Sequence, residues 1–341
     1  MRKLRVQEAV GQVLCHDMTA IMADGFKGVR FKRGHVITEE DIPVLLDMGK
    51  EHIFVWEPEA DEVHEDDAAA ALCRELAGEG VRVTGPSEGK MTVTAGRDGY
   101  FLLDREGLKT INAVPDYTVA TIRGDIAVKT GAKLAGARIV PLVTKRGNVE
   151  AAVSAAKEHF PVLSVLPFRP LKAGVVITGS EIYYGRIQDA FEPILTPKLL
   201  SYGAELLGFT KCPDELEKIL AAVQSFLDRG AELILLTGGM SVDPDDLTPT
   251  AIRRCGGEFV MQGVPMQPGN MLTLAYVGNC ALVGVPGASM HSPVTSLDFF
   301  LPRIFAGIRI TAGEIPQYGE GGLCMGCKSC TFPVCPFGTG R

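Results

Sequence analysis

Two short, wholly apolar runs limit the architectures open to this chain: Ala173-Gly174-Val175-Val176-Ile177 and Leu233-Ile234-Leu235-Leu236. Between them, Leu216, Ile219, Leu220, Val223, Phe226 and Leu227 fall on one helical face before Gly230, and Asp214 and Glu217 have the spacing of a capping box. A strand apolar at every position must be covered on both faces, and intervening amphipathic helices supply that cover. The segment 171–310 is therefore predicted to be α/β, a parallel sheet in three layers.

Upstream, residues 1–165 read differently. Short β-branched runs such as Val81-Arg82-Val83-Thr84, Met91-Thr92-Val93-Thr94 and Tyr117-Thr118-Val119-Ala120-Thr121 alternate with glycines, which predicts a β-rich accessory region, a twisted sheet or open barrel. Short helices are expected over 39–48 and over the alanine-rich 64–79. Pro161, Pro167 and Pro170 mark a linker near 160–170.

A chain of 341 residues accommodates such domains, and its 34 basic against 41 acidic residues give a net charge of −7, which argues against nucleic acid as a partner. No apolar run reaches the ~20 residues of a membrane-spanning helix, and the amino terminus has no signal-peptide core, so the expected compartment is the cytoplasm, with no membrane association. Five of the nine cysteines (Cys15, Cys73, Cys212, Cys255, Cys280) are scattered, as reduced thiols would be.

In a parallel α/β sheet, ligands collect beyond the carboxyl ends of the strands, where backbone amides and helix N-termini face anions. Three loops occupy that position: Thr178-Gly179-Ser180-Glu181, the stretch from Thr237-Gly238-Gly239 through Ser241 to Asp243 and Asp246, and Pro286-Gly287-Ala288-Ser289. Gly238 and Gly239 permit close approach to a phosphate, Thr237 and Ser241 offer hydroxyls, and Asp243, Asp245 and Asp246 offer carboxylates. A plain turn with Asp246 capping a helix from Leu247 accounts for the middle loop alone, but not for three loops together.

These loops, in order with Val264-Pro265-Met266-Gln267-Pro268-Gly269-Asn270, resemble the molybdopterin-binding fold shared by molybdopterin molybdotransferases, the gephyrin E-domain class and molybdopterin adenylyltransferases. The resemblance implies binding of molybdopterin, or its adenylylated or metallated form, in molybdenum cofactor biosynthesis, modification or delivery. It implies Asp246, Asp243 and Glu181 as catalytic groups, with Mg²⁺ as a candidate ion. Cofactor contacts are expected from Thr178, Gly179, Ser180, Thr237, Gly238, Gly239, Ser241, Pro268, Gly269, Pro286, Gly287 and Ser289. The implied partners are the pterin, molybdate, and a molybdoenzyme or other cofactor-pathway protein, with the chain a homo-oligomer. Two lysines of the molybdotransferases are Gln267 and Asn270 here, and no Asp-Asn-Ser-Ala-Met-Asp-Gly-Tyr-Ala stretch is present. Activity as a molybdotransferase is thus left open against a non-catalytic carrier or sensor, or a nucleotide-pyrophosphate hydrolase like the related competence-damage proteins.

The remaining cysteines, Cys324, Cys327, Cys330 and Cys335, lie in the tail 319–341 as C-x2-C-x2-C-x4-C-P. The run resembles that of bacterial ferredoxins, so a [4Fe-4S] cluster is the expected ligand and zinc the second choice.

Overall fold

The computed structural model describes residues 2–21, 25–55, 60–240, 243 and 246–339. The chain divides into two compact units, one formed by 1–97, 102–124 and 129–165 and the other by 98–101, 125–128 and 166–341. None of the described helices is long and apolar enough to cross a membrane.

In the first unit, Arg2–Arg5 pairs antiparallel with His52–Val55, and Met18–Ile21 with Lys27–Phe31, around a core that includes Val6, Leu14, Ile37, Leu45 and Ile53. A four-stranded antiparallel sheet follows, in the order Val81–Ser87, Lys90–Ala95, Lys133–Ile139, Tyr117–Thr121. It is an open sheet rather than a barrel. The helix Glu65–Leu76 buries Ala68, Ala69, Leu72 and Leu76. Two further helices, Arg105–Asn112 and Arg146–Glu158, join the short helices expected in this β-rich region, the first lying within the stretch 81–145 read from its β-branched runs as sheet. The first carries its own start signal, since Asp104 accepts hydrogen bonds from the amides of Glu106 and Gly107. Within the proline-marked linker, Leu163–Leu166 is a strand, its alternate residues being buried apolar.

The second unit is built on a six-stranded sheet. Its elements are β1 (Lys172–Thr178), α1 (Ser180–Tyr183), α2 (Glu192–Ser201), β2 (Glu205–Cys212), α3 (Leu216–Asp228), β3 (Leu233–Thr237), α4 (Thr248–Arg254), β4 (Glu258–Gln262), β5 (Thr273–Val277), β6 (Cys280–Gly284) and α5 (Ser296–Phe305). The strand order is β2-β1-β3-β6-β5-β4. Strands β2, β1, β3 and β6 run parallel, β5 runs against them and β4 pairs antiparallel with β5, so the sheet is mixed. The reason is local: only Gly278 and Asn279 join β5 to β6, and a loop that short can connect only antiparallel neighbours.

Alternate residues of the apolar runs serve opposite faces. Val175, Ile177, Leu235 and Val283 pack on one side with Leu195 and Leu199 of α2 and Phe300 of α5. Val176, Ile234, Leu236 and Leu282 pack on the other with Ile219, Val223 and Phe226 of α3 and Ile252 of α4. Gly174 lets α3 lie close, because a Cβ there would sit 2.5 Å from the Phe226 ring. Residues beyond α5 join this core: Ile315 and Tyr318 from the helical turn Ala312–Gly319, and Phe337 near the chain end, are all buried.

Candidate functional site

From β1 the chain moves to β2 on one side, and from β2 it crosses back to β3 on the other. That reversal opens a crevice beyond the carboxyl ends of β1 and β3, the place where open α/β sheets bind ligands. The loops after β1, β3 and β6 all reach it, and they line a cleft of about 520 Å³.

The turn after β3 is built for close approach. Gly238 has φ +79° and Gly239 φ +48°, both in the left-handed region. A Cβ on Gly238 would lie 2.1 Å from the Thr178 carbonyl oxygen, so no side chain fits there. Thr248, at the start of α4, donates from its hydroxyl to the Gly238 carbonyl at 2.8 Å. Thr178 donates to the Thr237 carbonyl at 3.0 Å, and the two threonine hydroxyls, of Thr178 and Thr248, lie 3.1 Å apart. The glycine turn is thereby clamped between the end of β1 and the start of α4.

Of the expected ligand residues, the structure brings Thr178, Glu181, Gly238, Gly239, Asp243, Asp246 and Gly287 to the cleft wall. The Asp243 amide donates to the Asp246 carboxylate at 3.2 Å, and α4 has no side-chain cap, so Asp246 is not that helix's N-cap. No lysine or arginine lines the cleft among the described residues. Its charge is carboxylate.

The other expected residues lie behind this wall. The Ser180 amide and hydroxyl are both bonded to Asp214, and the Gly179 amide donates to the Cys212 carbonyl. Thr237 is fully buried, with no hydrogen-bond partner for its hydroxyl among the described residues. Ser289 pairs its hydroxyl with that of Thr295 at 3.1 Å, and the Pro286 carbonyl accepts from the Ser289 amide. Pro268 and Gly269 brace the first turn of α5: the Ser296 hydroxyl donates to the Gly269 carbonyl at 2.6 Å and its amide to that of Pro268 at 3.2 Å. Ser241 and Asp245 fall outside the described residues.

Sequence reasoning missed the apolar part of the wall, formed by Ile182, Ile187, Phe191, Met240, Met271 and Met290. A signal for it was present, since each methionine directly follows a motif residue: Gly239-Met240, Asn270-Met271 and Ser289-Met290. Flexible thioether side chains suit the flat face of a heteroaromatic ring.

None of the nine cysteines forms a disulfide among the described residues. Burial pushes the Cys73 and Cys280 thiols up to about 12 and the Cys212 thiol up to about 11, with Glu232 adding to the effect at Cys280 and Asp214 at Cys212. Among the described residues, no three His, Cys, Asp or Glu side chains are grouped tightly enough to hold a metal ion.

Residues 174–306 match the family described as "Probable molybdopterin binding domain", and residues 3–57 match a "Domain of unknown function (DUF8806)". A CinA-like protein of Mycobacterium avium (strain 104) is 40% identical over 91 residues, which are 26% of this chain and 21% of that protein. The molybdopterin molybdenumtransferase of Synechococcus elongatus is 27% identical over 181 residues, 50% of this chain and 42% of that protein. This chain thus spans less than half the length of either relative. The solved structure of the molybdopterin biosynthesis enzyme MoaB from Thermus thermophilus shares 22% identity over 39% of this chain and 91% of its own, with a TM-score of 0.33. The family match runs from within β1 through α5 and includes all three loops at the cleft, so residues 174–306 carry the α/β fold of that domain family.

Proposed function

We propose that this chain binds molybdopterin, or its adenylylated or metallated form, in molybdenum cofactor biosynthesis, modification or delivery. The observation that carries the reading is the switch-point cleft, lined by a clamped glycine turn together with Glu181, Asp243 and Asp246 and by no cation among the described residues. The pterin phosphate rests against Gly238 and Gly239, and the ring lies along the methionines. An anionic phosphate facing three carboxylates needs a cation between them. Mg²⁺ is bound characteristically by one or two carboxylates together with substrate phosphates, so it does not require the preformed protein cage that is absent among the described residues. Glu181, Asp243 and Asp246 are the residues that would hold it, and the ion would neutralise charge on the group being transferred.

Molybdate, a receiving molybdoenzyme, a homo-oligomer and a cytoplasmic setting complete the proposal. Insertion of molybdate into the pterin is the expected transferase chemistry. It is expected to be slow, because the molybdotransferase lysines are Gln267 and Asn270 here, and one lost charge-stabilising donor costs roughly 10²–10³-fold in rate. The four tail cysteines form a metal-binding segment, with an iron–sulfur cluster ahead of zinc.

The test is calorimetric titration of the full chain with molybdopterin, with Mg²⁺ and with EDTA. Binding that weakens at least tenfold in EDTA is expected, and no binding in either buffer rejects the reading. The rival reading on the same fold is nucleotide-pyrophosphate cleavage. Release of nucleoside monophosphate from ADP-ribose or FAD would establish it instead.

A further inference from the structure

The tail folds back on the α/β unit as a closed loop. The Gly338 amide donates to the Gly321 carbonyl at 2.8 Å, which joins the two ends of a segment containing all four clustered cysteines. The loop is also tied to the domain. The Gln267 amide donates to the Gly322 carbonyl and the Cys324 amide to the Gln267 carbonyl, both at 2.7 Å, so Leu323 runs as a parallel bridge beside Gln267. Gly322 admits no side chain at this crossing, where a Cβ would meet the Pro265 carbonyl oxygen at 2.2 Å.

Cys324, Cys327, Cys330 and Cys335 line a single cavity of about 560 Å³. Its remaining wall is mostly apolar, with Phe332, Phe337, Val294, Pro268 and Met325 among the contributors, and no His, Asp or Glu lines it among the described residues. Cys327 and Cys330 are exposed, whereas Cys324 and Cys335 pack against the core. The thiols therefore surround one space without being drawn to a single point.

That arrangement separates the candidate metals. A lone zinc ion needs four sulfurs about 2.3 Å from one centre. A cube of four irons and four sulfides carries its thiolates at the corners, around a volume, and the apolar wall of Phe332, Phe337 and Val294 shields the side that faces the core. The same loop lies on the segment 265–271, whose Gln267 it pairs with and whose Met271 lines the pterin cleft.

Resting on the reading of the tail as a metal-binding segment, we propose that the four cysteines hold a [4Fe-4S] cluster in this cavity and that loading it fixes the segment 265–271 beside the pterin cleft. The loaded loop acts as a clasp: the bonds of Gln267 to Gly322 and Cys324 survive only while residues 322–324 are held in place.

The experiment uses the full chain, purified without oxygen and reconstituted with ferric iron, sulfide and a small-molecule thiol that supplies two electrons per cluster, with no pterin present. About four irons and four sulfides per chain and a broad visible absorbance are expected, with iron lost in Cys327→Ser and Cys330→Ser, whose exposed positions leave the core intact. Hydrogen exchange of the peptide covering 265–271 should slow at least tenfold on loading. One zinc and no iron, no metal at all, or iron retained unchanged in both variants would each overturn the cluster. Cluster formation with unchanged exchange at 265–271 would overturn the clasp. Neither readout depends on pterin binding, so a failure here is distinct from a failure of the pterin assignment.

Discussion

The Asp214 carboxylate accepts a hydrogen bond from the Ser180 amide at 2.7 Å, and the Asp214 amide donates to Ser180 Oγ at 3.2 Å. This reciprocal pair joins the loop after β1 to the end of β2, and it fixes where α1 begins and hence where Glu181 enters the cleft. Asp214 is not the cap of α3, whose N-cap Glu215 makes no side-chain capping bond.

Asp214→Ala is accordingly expected to destabilise the fold by about 1–3 kcal/mol, the range for a hydrogen bond to a charged acceptor. It should also weaken molybdopterin binding several-fold by releasing Glu181. Urea unfolding and calorimetry measure the two effects. Unchanged pterin affinity in a destabilised variant would remove Glu181 from the site.

Gly238→Ala forces a side chain into left-handed backbone at a cost of about 1–2 kcal/mol. It also places Cβ against the Thr178 carbonyl, where neither strand end can yield without moving the cleft. A lower unfolding midpoint and at least tenfold weaker pterin binding are expected. Gly287→Ala is the matched control, since a Cβ there meets nothing within 4 Å, and its stability should equal that of the parent protein.

Arg303 on α5 donates to the Glu314 carboxylate at 2.7 and 3.2 Å and to the Tyr318 hydroxyl at 2.7 Å. Burial alone would raise the Glu314 carboxyl, but hydrogen bonds from Arg303, the Thr311 amide and Tyr318 outweigh it and hold the group below the usual carboxylate range. A depressed carboxyl stabilises the fold fully above its unfolded value of about 4.3, and that contribution disappears as pH falls through the lower folded value. Glu314→Gln should therefore destabilise the fold at pH 7, because it leaves the buried Arg303 guanidinium without its counter-charge. The gap between variant and parent should close as the pH is lowered from about 4.5 towards the acid limit. Denaturant titrations across that range provide the measurement, and a gap independent of pH would refute the assignment.

Much of the α/β unit is legible in the order of its residues. The runs at 173–177 and 233–236 are apolar at both alternations, which only a two-sided cover satisfies, and the face from Leu216 to Leu227 supplies one side of it. The glycines of the middle loop are equally readable, because a turn pressed against a neighbouring strand's carbonyl requires backbone without Cβ. In the first unit, by contrast, the helix Arg105–Asn112 lies hidden among β-branched runs, and the helix Arg146–Glu158 lies beyond them with alanines that carry little directional pattern.

Sequence alone thus determined the sheet interior, the crossover helices and which three loops converge on the cleft, since periodicity and glycine placement are local properties. Tertiary structure alone decided what each polar group in those loops is bonded to. Ser180 belongs to Asp214, thirty-four positions away, Thr178 to the carbonyl of Thr237, and the Pro268-Gly269 pair to the first turn of α5. It likewise placed the cysteine loop beside Gln267. Short hydroxyl and carboxylate side chains bond as readily to a distant backbone as to a neighbouring one, so their partners depend on which strand ends the fold brings together.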